Sequence, residues 1–198
     1  MFSGAILAVV LAYTWIVAPA APRWAAGVAT TAVVGLAVAR AIRSGEWGLA
    51  RAAFVPALGW SAALTAAAAV VVSLAGSRLG TWHSPANPWG TLAALVPWGL
   101  GQQFALQIVL LREAQAMTSR SGGIWLAPLM FAALHLPNPF LTVATGIAAV
   151  AWCWIYDRYP NLLPLALSHA LLTLAVLSAF DDTVTGRLRV GVAYLSLR

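Results

Sequence analysis

The segment "WGLGQQFALQIVLLREAQ", residues 98–115, places three glutamines inside a long apolar run. Gln102 and Gln103 are adjacent, and Gln107 follows about one helical turn after Gln103. A polar side chain in an apolar environment costs free energy unless a hydrogen-bonding partner compensates it. The three glutamines therefore indicate either hydrogen bonds between packed helices or a functional site.

The composition around this segment is that of an integral membrane protein. The chain has 198 residues, of which 62% are hydrophobic and only 8% are charged, whereas an ordinary soluble domain has about 25% charged residues. All 11 basic side chains are arginines, and they are spread over short connecting segments. Arginines that flank membrane spans explain the net charge of +6 better than nucleic-acid binding does. We therefore expect membrane lipid, and no nucleic acid, among the partners.

About seven stretches are apolar enough to be membrane spans, for which about 20 residues are needed. They cover roughly residues 2–21, 24–41, 53–76, 89–111, 124–136, 140–156 and 162–180. The fifth and sixth are short, and Pro137 and Pro139 in "HLPNPF" must interrupt the helix between them. Because open sheet edges cannot face lipid, the sequence predicts an all-α polytopic membrane helical bundle, with residues 1–198 forming a single membrane domain.

Two histidines also lie in apolar segments. His135 ends the fifth segment in "FAALHLP", and His169 lies within the seventh in "LPLALSHALLTL". Ionisable residues inside a membrane usually face the bundle interior and mark a functional cavity. Imidazole suits zinc, general acid–base catalysis or polarisation of a carbonyl, so both histidines are candidate ligands of a divalent metal such as zinc. The alternative is that the histidines and glutamines only tie packed helices together.

Three short motifs follow one another along the chain: "QQFALQ" (102–107), "FAALH" (131–135) and "HALLT" (169–173). Their order and intervals resemble those of the CAAX-processing and bacteriocin-processing intramembrane proteases, the CPBP or Abi family. The pattern of that family is Glu-Glu-x-x-x-Arg on one span, Phe-x-x-x-His on the next and His-x-x-x-Asn on a later one. The resemblance covers about residues 90–175, the family-like core, and implies a CAAX-protease-like fold in a bacterial cytoplasmic membrane.

The departures from the family pattern are coordinated. Gln102 and Gln103 stand at the two glutamate positions, Gln107 at the arginine position and Thr173 at the asparagine position. The resemblance implies that a glutamate activates water for attack on a peptide carbonyl, and a carboxamide is not basic enough to take that proton. Losing the carboxylates alone would strand a buried arginine at considerable cost. We therefore expect a neutral, hydrogen-bonding site formed by Gln102, Gln103, Gln107, His135, His169 and Thr173.

Three functions remain open at this point. The chain is an intramembrane endopeptidase with a modified catalytic centre, acting on membrane-anchored or lipidated protein or peptide tails. Alternatively, it is a non-catalytic scaffold that binds a membrane protein, peptide or lipid in the former substrate groove. The third possibility is an unrelated small bundle, such as a transporter component. The missing general base favours the second function, and the family resemblance favours the first.

Two further polar residues near the motifs have simpler interpretations. Glu113 is expected to form an interfacial charge pair with its neighbour Arg112, because it lies too far along the helix to replace the missing base. Asn138, between two prolines, is expected to be a turn residue.

The arginines also predict the orientation of the spans. If the N-terminus is cytoplasmic, the short inside loops hold six arginines and the short outside loops hold only Arg23 and Arg78. Cytoplasmic loops carry an excess of arginine and lysine. The six inside residues are Arg40, Arg43, Arg51, Arg112, Arg120 and Arg158.

Reporter fusions test this orientation directly. Fusions placed after Arg43, Gly80 and Gly122 should report inside, outside and inside, because the arginine excess keeps the first and third of these loops in the cytoplasm. A reporter pair that is active on opposite sides of the membrane gives the measurement. The reverse pattern would show that arginine bias does not set the orientation of this chain.

Overall fold

The regular structure is helical, as expected for backbone that must satisfy its own hydrogen bonds in lipid. The computed structural model describes residues 1–18, 20–22 and 24–197. Those residues form no strand, and their one β-type pairing is the isolated bridge between Leu49 and Asn161. The expected all-α class is confirmed. Arg23, which entered the arginine count for orientation, lies outside the described residues.

Ten α-helices follow one another along the described chain. Two π-helical segments, Tyr13–Val17 and Ala105–Leu111, continue the first and fourth of them, and 3₁₀ turns cover Arg51–Ala53 and Gly186–Leu188. The helices are α1 (Phe2–Ala12), α2 (Trp24–Ser44), α3 (Phe54–Leu79), α4 (Pro88–Phe104), α5 (Arg112–Met117), α6 (Arg120–Ala133), α7 (Pro139–Arg158), α8 (Leu162–Ala179), α9 (Asp182–Thr185) and α10 (Val192–Leu195).

Five helices in the described residues are long and apolar enough to cross a membrane. They correspond to the second, third, fourth, sixth and seventh of the expected spans: Trp24–Ser44, Arg51–Leu79, Pro88–Met117, Pro139–Arg158 and Leu162–Ala179. The first and fifth expected spans are shorter helices, Phe2–Val17 and Arg120–Ala133. A straight helix rises about 1.5 Å per residue, so each of these two helices is shorter than the hydrocarbon core, which is about 30 Å thick.

The two prolines of "HLPNPF" interrupt the helix as expected. Helix α6 ends at Ala133, and α7 begins at Pro139 after a turn in which the Leu136–Pro137 peptide bond is cis. Proline at the first helical position loses no hydrogen bond, because that N–H would have no intrahelical partner. Asn138, just before the helix, accepts a hydrogen bond from the backbone N–H of Leu141 at 3.1 Å and so caps α7.

The contacts divide the chain into two units, each assembled from separate stretches of sequence. The first unit comprises Met1–Trp47, Ala105–Cys153 and Gly186–Arg198, and the second comprises Gly48–Phe104 and Trp154–Thr185. In the first unit, α1 packs against α2, and the π-helix Ala105–Leu111 packs against α2 and α6. In the second unit, α8 packs against both α3 and α4.

The charged residues of the first unit do not pair as the sequence suggested. Arg112 forms a salt bridge with Glu46, its Nη2 lying 2.7 Å from Oε1. The carboxylate of Glu113 instead accepts hydrogen bonds from the backbone N–H groups of Phe2 and Ser3, at 2.8 and 2.9 Å, and from the Ser3 hydroxyl at 2.6 Å. The expected Arg112–Glu113 pair is therefore wrong. Adjacent residues on a helix point in different directions, so each charge finds a partner on another segment.

Polar contacts also hold α8 in the second unit. The side chain of Asn161 caps α8 by accepting from the N–H of Leu163 and donates to the carbonyl of Ala50, both at 3.1 Å. One face of the helix carries Ser168, whose hydroxyl accepts a hydrogen bond from Thr65 on α3 at 2.8 Å. A half-buried hydroxyl pair of this kind links two membrane helices at a net gain of about 1 kcal/mol or less.

Helices α4 and α8 approach each other closely at Gly99. A Cβ at this buried position would lie 2.8 Å from the backbone carbonyl oxygen of Ala166 and 3.4 Å from the Cβ of His169. Small residues allow membrane helices to pack backbone to backbone in this way. Because Gln103 follows Gly99 by one turn on the same face of α4, this contact carries Gln103 toward His169.

Replacing Gly99 with alanine should push α4 away from α8. We expect Gly99→Ala to lower the free energy of unfolding by about 1–3 kcal/mol, the usual cost of overpacking against a neighbour that cannot yield. Gly101→Ala is the matched control, because a Cβ there meets nothing within 4 Å, and alanine is the better helix former by about 1 kcal/mol. Thermal unfolding of the purified variants in detergent measures both. Equal stability of the two variants would contradict the close contact.

Candidate functional site

Gln103 and His169 form a buried hydrogen-bonded pair in the second unit. The Nε2 of Gln103 on α4 lies 3.3 Å from the Nδ1 of His169 on α8. Gln103 is fully buried, and His169 is 8% exposed. The structure thus brings together two of the residues that the motifs single out, although 66 residues separate them in the sequence.

The direction of this hydrogen bond fixes the protonation pattern of His169. A carboxamide nitrogen can only donate, so Nδ1 of the imidazole must accept. A ring that accepts at Nδ1 is neutral and carries its one proton on Nε2. A glutamate carboxylate in place of Gln103 would only accept, and the proton would then have to sit on Nδ1. The glutamine therefore holds His169 as an Nε2–H donor.

Thr173 lies one turn after His169 on α8. Its hydroxyl donates to the backbone carbonyl of His169 at 2.9 Å. This is a common local bond of threonine within helices, and it occupies the only hydroxyl proton. Thr173 therefore retains only acceptor capacity toward any other group, whereas an asparagine at the same position would offer two amide protons.

His135 lies in the first unit, in the turn that follows α6. Its Nδ1 is 2.8 Å from the backbone carbonyl oxygen of Phe131. A carbonyl can only accept, so Nδ1 carries the proton, and in the neutral ring the lone pair is on Nε2. The ring also meets the Phe131 ring edge-on, with centroids 5.0 Å apart and an interplanar angle of 61°. His135 is therefore the opposite tautomer to His169.

The other two glutamines differ in their surroundings. Gln107 is fully buried within the π-helix Ala105–Leu111, and Gln102 is half-buried on α4. The α-helical angle that places Gln103 and Gln107 on one face does not hold here, because hydrogen bonds in a π-helix run from i to i+5. Helical segments of this type occur often at functional sites.

Asn138 contributes more than the expected turn. It is 1% exposed, and its Nδ2 donates to the backbone carbonyl of Arg189 at 3.0 Å. Close by, the N–H of Gly191 donates to the carbonyl of Leu136 at 2.8 Å. The C-terminal segment 186–191 is thereby held against the turn that contains His135. The only sequence signal for this role is a polar residue between two prolines, which is too common to be specific.

In the described part of the chain, no further side chain joins His135 and His169 to form a zinc site. No group of three or more His, Cys, Asp or Glu side chains is present there that could hold a metal ion. Protein zinc sites use three or four such ligands, so the two histidines alone do not form one. Zinc binding stays a prediction, and no chemical step below depends on it.

Comparison with known proteins supports the resemblance drawn from the motifs. The family model described as type II CAAX prenyl endopeptidase Rce1-like matches residues 84–175. This match contains all three motifs and overlaps the expected core of residues 90–175. No curated protein and no solved structure matches the chain. The resemblance is confirmed, and the interpretation as an unrelated bundle is wrong for this segment.

Two leucine variants separate the roles of the adjacent glutamines. Gln103→Leu leaves Nδ1 of His169 without its amide donor, and we expect a loss of about 1–3 kcal/mol in the free energy of unfolding. Gln102→Leu, at the half-buried neighbouring position, should change the stability by less than about 0.5 kcal/mol.

Nitrogen-15 NMR of labelled histidine gives a second, structural readout. In the wild-type protein, His169 should be protonated on Nε2 and His135 on Nδ1, because an amide nitrogen donates to the first ring and a carbonyl accepts from the second. Assignment uses single histidine variants. Finding His169 protonated on Nδ1 would show that the Gln103 amide does not donate to it.

Proposed function

Because residues 84–175 match the family model of Rce1-like type II CAAX prenyl endopeptidases, we propose that this membrane protein binds the tail of a membrane-anchored or lipidated protein or peptide without cutting it by a glutamate mechanism. The family match and the long apolar helices support a CAAX-protease-like membrane protein. We further propose that it resides in a bacterial cytoplasmic membrane. The bond from Gln103 to His169 is the observation that carries the proposal.

Hydrolysis of a peptide bond by water needs a group that accepts the proton of the water. At Gln103 the position is held by a carboxamide whose nitrogen faces His169 at 3.3 Å. Its nitrogen is a donor, and its oxygen is too weak a base to take a proton at neutral pH. Gln102 at the neighbouring motif position has the same limitation.

No other carboxylate stands in the motifs to replace the glutamates. The five acidic residues of the chain are Glu46, Glu113, Asp157, Asp181 and Asp182. Glu46 pairs with Arg112, and Glu113 accepts three hydrogen bonds from the start of α1. The three aspartates lie at or beyond the ends of α7 and α8. The missing base therefore has no evident substitute among the acids.

A neutral polar site can still recognise a peptide. An extended peptide in a membrane carries backbone N–H and C=O groups that need protein partners, because lipid provides none. Carboxamides and neutral imidazoles offer both donors and acceptors without a buried charge, so they avoid the desolvation cost of an ion. The substitution of two acids and one arginine by glutamines thus favours binding over hydrolysis.

Hydrolysis by a histidine is the second candidate function. It is favoured by the tautomer of His135, whose lone pair lies on Nε2 because Nδ1 is bound to the carbonyl of Phe131 at 2.8 Å. A neutral imidazole nitrogen is a common general base. In this mechanism His135 would take the proton from water, and both histidines would be required for cleavage.

Cleavage and binding assays distinguish the two functions. We expect the purified wild-type protein to bind a membrane-tethered, prenylated peptide and to leave it intact, as followed by mass spectrometry. His169→Ala should weaken binding by roughly tenfold or less, the equivalent of one lost hydrogen bond. His83→Ala is the matched control, because His83 lies in an exposed loop. Cleavage by the wild type that disappears in His135→Ala and His169→Ala would establish the histidine mechanism instead.

Restoring acids tests the role of the missing base. Gln103→Glu alone should restore little cleavage, because burial raises the pKa of a carboxyl group and keeps it protonated. The combination Gln102→Glu, Gln103→Glu and Gln107→Arg restores all three family residue types and is the smallest set that should generate activity. Substantial cleavage by Gln103→Glu alone would show that the arginine position is dispensable.

A further inference from the structure

The lining of an open depression in the first unit includes none of the motif residues. This cavity is shallow and has a volume of about 340 Å³. Arg40 and Arg43 line one part of it, together with Met1, Phe2 and Glu113. The two arginines are three residues apart in the last two turns of α2, so they project from the same face of the helix.

The acid in this cavity is not the partner of the arginines. The carboxylate of Glu113 already accepts three hydrogen bonds from Phe2 and Ser3. The guanidinium of Arg43 lies over the Phe2 ring, 5.6 Å from its centroid. Within the described part of the chain, Arg40 has no hydrogen bond or ion pair. The cavity therefore has a net positive charge. By contrast, the charge of Arg112, which adjoins Glu113 in sequence, is balanced by its salt bridge with Glu46.

The position of the cavity along the helices points to the surface of the membrane. Arg40 and Arg43 lie near the end of Trp24–Ser44, one of the long apolar helices, and Glu113 lies near the end of another, Pro88–Met117. The ends of membrane spans lie at the depth of the lipid head groups. Arginines at this depth attract anionic phospholipids, each contributing about 1 kcal/mol.

We propose that this cavity binds the phosphate group of an anionic membrane phospholipid through Arg40 and Arg43. A guanidinium donates two parallel hydrogen bonds to phosphate oxygens, and two guanidiniums on one helix face match one phosphate. A purely structural explanation is that the two arginines stabilise the C-terminal end of α2, where positive charge is favourable. This explains their position in the sequence but not the cavity that they line.

Lipid addition to the delipidated, detergent-solubilised full chain tests this proposal. Phosphatidylglycerol should raise the unfolding temperature, and phosphatidylcholine and inorganic phosphate should raise it much less. The double variant Arg40→Gln, Arg43→Gln should bind phosphatidylglycerol at least roughly tenfold more weakly. The matched control is Arg78→Gln, because Arg78 occupies the last turn of α3 in the same way but lies in the other unit.

The single variants Arg40→Gln and Arg43→Gln keep the test decisive if the double variant does not fold, since each should lose part of the lipid response. An undiminished response in the folded variants would overturn the proposal. So would an equal response to phosphatidylcholine, which would indicate a site for lipid chains rather than for phosphate. An equal response to inorganic phosphate would indicate a site for a free anion.

Discussion

The lack of water in the hydrocarbon core is the constraint on which the polar contacts of this chain depend. A polar side chain buried there must find its hydrogen-bonding partner within the protein, because an unpaired polar group destabilises the fold by the cost of its desolvation. Ser168 meets this constraint by bonding Thr65, and Asn138 by bonding the backbone of the C-terminal segment. Each contact joins segments that are far apart in sequence, so a small number of polar residues determines which helices pack together.

Gln103 meets the same constraint in a way that changes the chemistry of the site. A glutamine and a glutamate have nearly the same shape, so either can lie between α4 and α8 above Gly99. The amide of the glutamine donates to Nδ1 of His169, whereas an ionised glutamate can only accept. The replacement therefore removes a base and also reverses the hydrogen bond to the neighbouring histidine. Under the proposed function, both effects favour the recognition of polar groups over proton exchange with them.

The class of the fold and the break at Pro137 and Pro139 could be predicted from the sequence, because hydropathy and proline geometry are local properties. The pairing of charges could not. Adjacency favoured Arg112 with Glu113, but neighbouring residues on a helix diverge, and the real partners of these two side chains lie 66 and 110 residues away. The π-helix at Gln107 was equally hidden, since its composition does not differ from that of an apolar α-helix.

The candidate site could likewise be predicted only in part from the sequence. The sequence singled out Gln103 and His169, and the structure shows that they touch. The participation of His135, Gln102, Gln107 and Thr173 in one site stays a prediction. The tautomer of each histidine could not be predicted from the residue types, because it depends on which atom of the hydrogen-bonding partner faces the ring.

The spacing of the second and third motifs has a physical reason in the helix itself. His135 follows Phe131 by four residues, and Thr173 follows His169 by four; in both cases the later side chain bonds the backbone carbonyl of the earlier residue. The carbonyl of Phe131 at the end of α6 accepts the N–H of Leu134 at 3.2 Å, and its second lone pair accepts from Nδ1 of His135 and so holds that ring in one tautomer. His169 lies inside α8, and the atom that faces its Nδ1 belongs to Gln103 on α4. The tautomer of His169 is therefore set by a residue of the first motif, which lies on another helix.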